Sequence, residues 1–382
     1  MEGSSNTMRK RIYSLFFGLT IFCFTGIIAM IAMGMLAISG PLFVGFFAFL
    51  ALYSRGNETL KGFSFTIWIF AAVSVSMFYP FLFLQWGSYK LTKLIEPLMM
   101  IIMFGMGTTM SLRDFSQILR MPKGVLIGMG LQFTVMPFVG FTIAKTFGFA
   151  PEIAAGVILI GCVPSGLASN VMNYIAGSNL ALSVTITACA TLVAPLMTPI
   201  WMKFLAGQFV PIDFMQMMWG VVRITIIPVA AGLLFNHFMH GKVNWLDRFL
   251  PVVSMGGIVV IIVVITSAGR NDLLTVGLML LAAEMIHNTT GYLGGYWGSR
   301  LCGLDEKSCR TVAIEVGLQN GGMGSALAIN VLKSPAAALA PAIFGPWMNI
   351  SGSVLANWWH AHPVKDEKKP SSDVKKAENK IN

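Results

Sequence analysis

The chain predicts an all-α, polytopic membrane protein, and three observations carry that prediction. Of its 382 residues, 55% are hydrophobic and only 11% charged. Apolar runs of about 20 residues recur along it, the length that crosses the ~30 Å hydrocarbon core as a helix. These runs are continuous rather than alternating, and lipid offers the backbone no hydrogen-bond partners, so the spans are helices and not barrel strands.

Two N-terminal runs come first, about 13–36 and 39–54, rich in Phe, Met and Gly and without a charge between Arg11 and Arg55. They predict a peripheral helical hairpin. Ten further spans follow near 64–86, 94–111, 122–145, 151–175, 180–204, 213–236, 248–268, 273–298, 309–331 and 336–359, which makes twelve crossings. The first run is longer than the apolar core of a cleaved signal peptide and is expected to be retained. The chain then divides into a tail with two extra helices (1–60), a ten-helix unit (61–360) and a Lys-rich tail (361–382) whose composition predicts disorder.

The distribution of basic residues orients the spans. With both termini inside, Arg9, Lys10, Arg11, Arg55, Lys61, Arg113, Arg120, Lys123, Lys242, Arg248, Arg300, Lys307, Arg310 and the tail lysines fall on the cytoplasmic side. Only Lys90, Lys93, Lys145, Lys203, Arg270 and Lys333 fall on the other. This asymmetry is that of a multi-pass protein of the inner (plasma) membrane with cytoplasmic termini. It also accounts for the net charge of +10 through loops facing anionic lipid, so no nucleic-acid partner is expected. Five scattered cysteines imply neither a disulfide framework nor a metal site, and the histidine pairs His237/His240 and His360/His362 read as interfacial.

An ionisable residue at membrane depth costs at least about 2.5–3.5 kcal/mol and therefore needs a partner or a function. Arg223, Glu284 and Glu315 are the deep ones. Arg223 and Glu284 are expected to pair across two helices. Glu284 also precedes His287, Asn288 and a doubled GxxxG pattern, Gly291 to Gly295 and Gly294 to Gly298, a face suited to close packing. Glu315 differs, because "AIEVGLQNGGMG" (313–324) surrounds it with amides and glycines that weaken its own helix.

A second interruption, "GCVPSGLASNVMNY" (161–174), contains Pro164 and Gly166. The two breaks fall in the fourth and ninth spans of the ten-helix set, matching places in two five-helix halves (about 61–206 and 207–360). Five being odd, the halves have opposite orientation. That is the pattern of an inverted-repeat transporter whose broken helices cross near the bilayer midplane. The oxygens gathered at the breaks suit a hard cation such as Na⁺, although a lone carboxylate can also carry a proton. No nucleophile with a base and no catalytic metal spacing appears, so the chain is not read as an enzyme. Seven-helix receptor architecture is missing as well, and Ser165 stands where a thiol-gated arsenite carrier would have cysteine.

The segments "IIMFGMGTTMSLRDF", "QFTVMP", "SNVMNYIAGSNLALSVTITACATLVAPLMTP", "EVGLQN" and "NISGSVLANWW" resemble the bile acid:sodium symporter family over about Ser64 to Trp359. The resemblance implies a ten-helix inverted repeat with panel and core domains, two crossing broken helices and sodium-coupled uptake of a small organic anion by alternating access. A proton-coupled or sodium-independent organic anion carrier or exporter of the same broad superfamily is the alternative. By resemblance, one Na⁺ site comprises Ser169, Asn170, Ser183, Thr187 and Glu315. A second comprises Gln132, Glu315, Gln319 and the carbonyls of Val316 and Leu318. Asn320 and Asn349 would face the substrate. Leu167 and Met348 stand at substrate positions that are polar in some bacterial relatives.

Overall fold

The computed structural model describes residues 2–57, 60–111, 117–239 and 244–364. The disorder expected of the C-terminal tail falls largely outside them. The described residues are almost wholly helical: α1 (Glu2–Ala32), α2 (Gly40–Ser54), α3 (Ser64–Phe78), α4 (Ile95–Thr109), α5 (Pro122–Phe147), α6 (Pro151–Cys162), α7 (Leu167–Ile175), α8 (Leu180–Leu205), α9 (Phe214–Met239), α10 (Asn244–Ala268), α11 (Arg270–Leu301), α12 (Glu306–Gly317), α13 (Gly321–Asn330) and α14 (Pro335–Ala361). Among them, six helical segments are long and apolar enough to cross a bilayer by length and composition.

Local chemistry sets the ends. Asn179, Asp305, Asn320 and Ser334 each cap a helix by accepting a backbone N–H three residues on. Gly148 closes α5 in the left-handed region, φ +63°. The span expected at 64–86 is shorter than its hydropathy suggested: α3 stops at Phe78 because Tyr79, preceding Pro80, leaves helical geometry. A one-turn helix and a hairpin pairing Gln85–Trp86 with Tyr89–Lys90 about Gly87 follow it.

The helices pack in two groups. In the first, α3 lies on α10, and α4 packs on α9 and α10. The N-terminal hairpin joins this group through α2 on α3, with Phe43 tilted against Phe78 and Phe47 stacked on Phe70. The peripheral position expected of it is the one observed. The second group contains α5 to α8 and α11 to α14, and α13 and α14 meet α4 and α10 across the boundary.

Arg223 corrects an expectation. It lies in a π-helical stretch of α9, Val222–Ile226, and pairs with Glu96 of α4 at 2.7 Å instead of with Glu284. Both partners belong to the first group, whereas Glu284 is buried in the second. The doubled glycine pattern behaves as expected. A Cβ on Gly295 would come within 2.8 Å of the Val312 carbonyl of α12, and one on Gly298 within 2.7 Å of Leu131 of α5, so α11 is clasped on two faces.

Candidate functional site

Both expected interruptions are present, and they lie against each other. The helix runs α6 then α7, with Val163, Pro164, Ser165 and Gly166 extended or irregular between them, and α12 then α13 with Leu318 to Asn320 between. The two gaps form an isolated antiparallel bridge between Ser165 and Gln319, and the Asn320 N–H donates to the Pro164 carbonyl at 2.9 Å.

An interrupted helix frees backbone groups that lipid cannot satisfy. Here side chains from neighbouring helices take them. Thr198 of α8 donates to the Cys162 carbonyl at 2.8 Å, and Gln132 of α5 to that of Val163 at 3.1 Å. Gln319 donates to the Val316 carbonyl at 2.6 Å, and Asn288 of α11 to that of Gly317 at 2.8 Å. The breaks are thus built features, held open from three sides.

Glu315, fully buried on the last turn of α12, is the centre of this arrangement. Its Oε2 accepts from Ser165 at 2.6 Å and Thr187 at 2.8 Å. Its Oε1 accepts from Ser183 at 2.5 Å, with the Asn173 amide at 3.5 Å. Asn170 Oδ1 takes Ser183 at 2.8 Å and Thr187 at 3.4 Å, and the Ser169 hydroxyl donates to Gly166 while lying 3.4 Å from Thr187. Every residue of the first expected ion site is therefore brought together from α7, α8 and α12.

Ser165 and Asn173 were missed by the sequence reading. Ser165 sits beside the proline that makes the break, and Asn173 lies one helical turn beyond Ser169, so spacing from either feature was the available signal. Ser178 anchors Asn173 by donating to its Oδ1 at 2.6 Å, leaving the Asn173 amide free to face Ser183 at 2.9 Å.

The second expected site is only partly joined to the first. Gln132 Nε2 donates to Gln319 Oε1 at 2.7 Å, and Gln319 in turn reaches Val316. The Glu315 oxygens meet none of these groups; their hydrogen bonds all go to Ser165, Asn173, Ser183 and Thr187. Gln132 Oε1 is buried without a hydrogen-bond partner, an oxygen available to an ion. Leu318 is fully buried.

The expected substrate residues are more dispersed. Asn320 caps α13 through Oδ1, and its amide faces Met103 Sδ of α4 at 3.8 Å, which puts it on the boundary between the two helix groups. Asn349 donates to Gly345 of its own helix at 3.0 Å. Leu167 is half-buried at the start of α7, and Met348 is buried on α14.

Chemically, the cluster is a buried carboxylate among neutral oxygens, with no Lys, Arg or His in ion-pair distance of Glu315 among the described residues. A charge so placed requires a compensating cation, or a proton that removes it. The donors are hydroxyl, amide and carboxylate oxygens, with no thiolate or imidazole, and that set matches a small hard cation.

Two interrupted helices meeting around an oxygen-lined, buried carboxylate, in a nearly all-helical chain with several long apolar helices, fit a membrane transporter. The profile of the Sodium Bile acid symporter family matches residues 96–276. The uncharacterized sodium-dependent transporter YocS of Bacillus subtilis is 40% identical over 305 residues, which cover 80% of this chain and 93% of that one. The chain belongs to the sodium bile acid symporter family. The probable chloroplastic sodium/metabolite cotransporter BASS1 of Arabidopsis thaliana is 36% identical over 259 residues, 68% of this chain and 65% of that protein. The ileal sodium/bile acid cotransporter of Cricetulus griseus is 30% identical over 239 residues, 61% and 68% of the two chains.

Proposed function

We propose that the chain is a secondary active transporter that carries Na⁺ and a small organic anion in the same direction by alternating access. The observation that carries this reading is the isolation of Glu315: a fully buried carboxylate, uncompensated by any cationic side chain among the described residues, whose neighbours offer oxygens in excess of hydrogens. Ser183 has one hydroxyl hydrogen and two acceptors within 2.8 Å, Glu315 and Asn170. A cation satisfies the surplus lone pairs and the charge together. The printed names of the relatives, sodium-dependent and sodium/metabolite transporters, agree with that cation being Na⁺.

In this reading Ser169, Asn170, Ser183, Thr187 and Glu315 hold one ion, with Ser165 as an added ligand. Gln132, Gln319 and the carbonyls of Val316 and Leu318 hold a second beside Glu315. Each ion would displace the hydrogen bonds that now join these groups. The organic anion, a bile-acid-like or other carboxylate, is drawn to the helix N-termini opened at the breaks and lies by Asn320, Asn349, Leu167 and Met348. Two five-helix halves of opposite orientation form the ten-helix unit. Its panel, α3, α4, α9 and α10, and its core, α5 to α8 with α11 to α14, shift against each other along the α4–α13 boundary. The protein spans the inner membrane with both termini cytoplasmic.

The test needs no knowledge of the cargo. Thermal unfolding of the purified protein is followed in NaCl, KCl and choline chloride at equal ionic strength. A midpoint raised by Na⁺ alone supports the reading, since a ligand of the folded state stabilises it by mass action. Equal midpoints in the three salts overturn sodium coupling, and a response to pH alone at Glu315 would transfer the coupling role to protons.

A further inference from the structure

A buried titratable pair lies outside the ion cluster. Glu284 and His287 lie one turn apart on α11, both fully buried, with His287 Nδ1 3.5 Å from Glu284 Oε2. Glu284 Oε1, Glu284 Oε2 and His287 Nδ1 have no hydrogen-bond partner among the described residues. At the other edge of the ring, His287 Nε2 lies 2.9 Å from the Met136 carbonyl of α5.

That carbonyl decides the proton arrangement. A carbonyl only accepts, so Nε2 carries hydrogen and donates to Met136. If the ring is neutral, Nδ1 then presents a lone pair to a carboxyl group. With Glu284 ionised, lone pair would face lone pair in a fully buried site that no Lys or Arg among the described residues joins, and a net negative charge would be left among orphaned atoms. One additional proton removes the conflict, either as a Glu284 acid donating to Nδ1 or as an imidazolium donating to the carboxylate. We propose that Glu284 and His287 form a proton-binding site within the second helix group, separate from the Glu315 cluster, which binds one proton shared between them.

Among the described residues, the charged groups of the packed elements whose contacts follow are engaged elsewhere. On the packed elements, Lys123 is engaged with Gly303, Lys145 lies over Phe141, Glu306 pairs with Arg300 and Arg310, Glu315 faces its hydroxyls, and His360 bonds Ile175. Glu152 and Cys162 of α6 and Cys309 of α12 are further titratable groups on those elements, and the Cys309 thiol donates to the Leu304 carbonyl at 3.4 Å. The wall of the site is glycine and aromatic. A Cβ on Gly140 or Gly161 would come within 2.9 or 3.1 Å of His287 Cε1, and Phe344 meets the ring edge to face at 5.8 Å.

Position gives the proton a consequence. Gly161 belongs to the last turn of α6 before its break, and Asn288, next to His287, holds the Gly317 carbonyl at the end of α12. A rearrangement of the ring on loss of the proton therefore reaches both interrupted helices.

The inference does not depend on sodium coupling, and its test is run without sodium. The full chain in lipid nanodiscs, in choline chloride, is unfolded thermally at steps from about pH 6 to about pH 10, a range that brackets ordinary histidine and extends well above it. In the wild type the midpoint is expected to drop by several degrees over the step in which the pair deprotonates. Glu284→Gln supplies an N–H to Nδ1 without a proton, so that step is expected to vanish from its profile. Should the variant not fold, infrared difference spectra of wild type labelled at glutamate or histidine replace it. A carboxylic acid or imidazolium signal that titrates and is indifferent to Na⁺ supports the site. Superimposable pH profiles for wild type and Glu284→Gln, or no titrating signal of either kind, overturn it.

Discussion

The two interrupted helices differ in what they bring to the point where they meet. The α6–α7 break is made by Pro164 and supplies neutral groups, the oxygens of Ser165, Ser169 and Asn170 and the amide N–H of Asn173. The α12–α13 break has no proline and supplies the charge, from Glu315. Their caps differ as well: Gly166 starts α7 without a side-chain cap, whereas Asn320 caps α13 with its own carboxamide oxygen. One break is therefore a passive ligand frame and the other a charged centre. Neither alone is a cation site, because a lone carboxylate lacks coordination and a neutral frame lacks charge.

Removing the charge should break this comparison most completely. Glu315→Gln is expected to abolish stabilisation by Na⁺, with apparent affinity falling on the order of 100-fold, about 3 kcal/mol. Sodium-dependent thermal shift is the check, and an undiminished shift would assign the charged role elsewhere. The seating of α12 comes next. Gly295→Val drives a side chain into the backbone of Val312 and Ala313, and is expected to cost about 2 kcal/mol of stability by forcing α11 and α12 apart. Denaturant unfolding in detergent measures it.

On the neutral side, Thr187→Val removes a single hydroxyl donor to Glu315 and keeps the shape. A loss of about 1 kcal/mol, roughly fivefold in the sodium concentration required, is expected. A loss as large as that of Glu315→Gln would erase the distinction between frame and charge. The smallest effect belongs to the cap of α12. Burial pushes the Asp305 carboxyl up, but hydrogen bonds from Ser308 and nearby backbone N–H groups outweigh it and hold the group below the usual carboxylate range. The folded state thus favours ionised Asp305. Its contribution is complete above the unfolded pKa of about 3.9 and is lost as pH falls through the lower folded value. Asp305→Asn should flatten that acid portion of the stability profile.

Much of the fold was legible because hydropathy is a local property. Lipid imposes one rule on every 20-residue window, so the places of the apolar helices and both interruptions could be read from composition along the chain. Pro80 shortened α3 for an equally local reason, although a hydropathy window averages over it. The polar clusters at the breaks were also visible, as unusual densities of Ser, Asn and Gln beside Pro or Gly.

Partnership at depth was another matter. Arg223 was expected on Glu284 because both lie within spans, but rotation and neighbour choice put it on Glu96 and left Glu284 to His287. Ser165 joined Glu315 across 150 residues, and Asn288 took a carbonyl 29 residues away. Sequence by itself determined which stretches are apolar helices, where helices are interrupted and which polar groups must find partners, since each follows from transfer between water and lipid. Only the tertiary structure decided which partners they found. That choice depends on which helix faces meet, and no one-dimensional window contains the packing of glycine faces such as Gly291 and Gly295 that brings α11 onto α12.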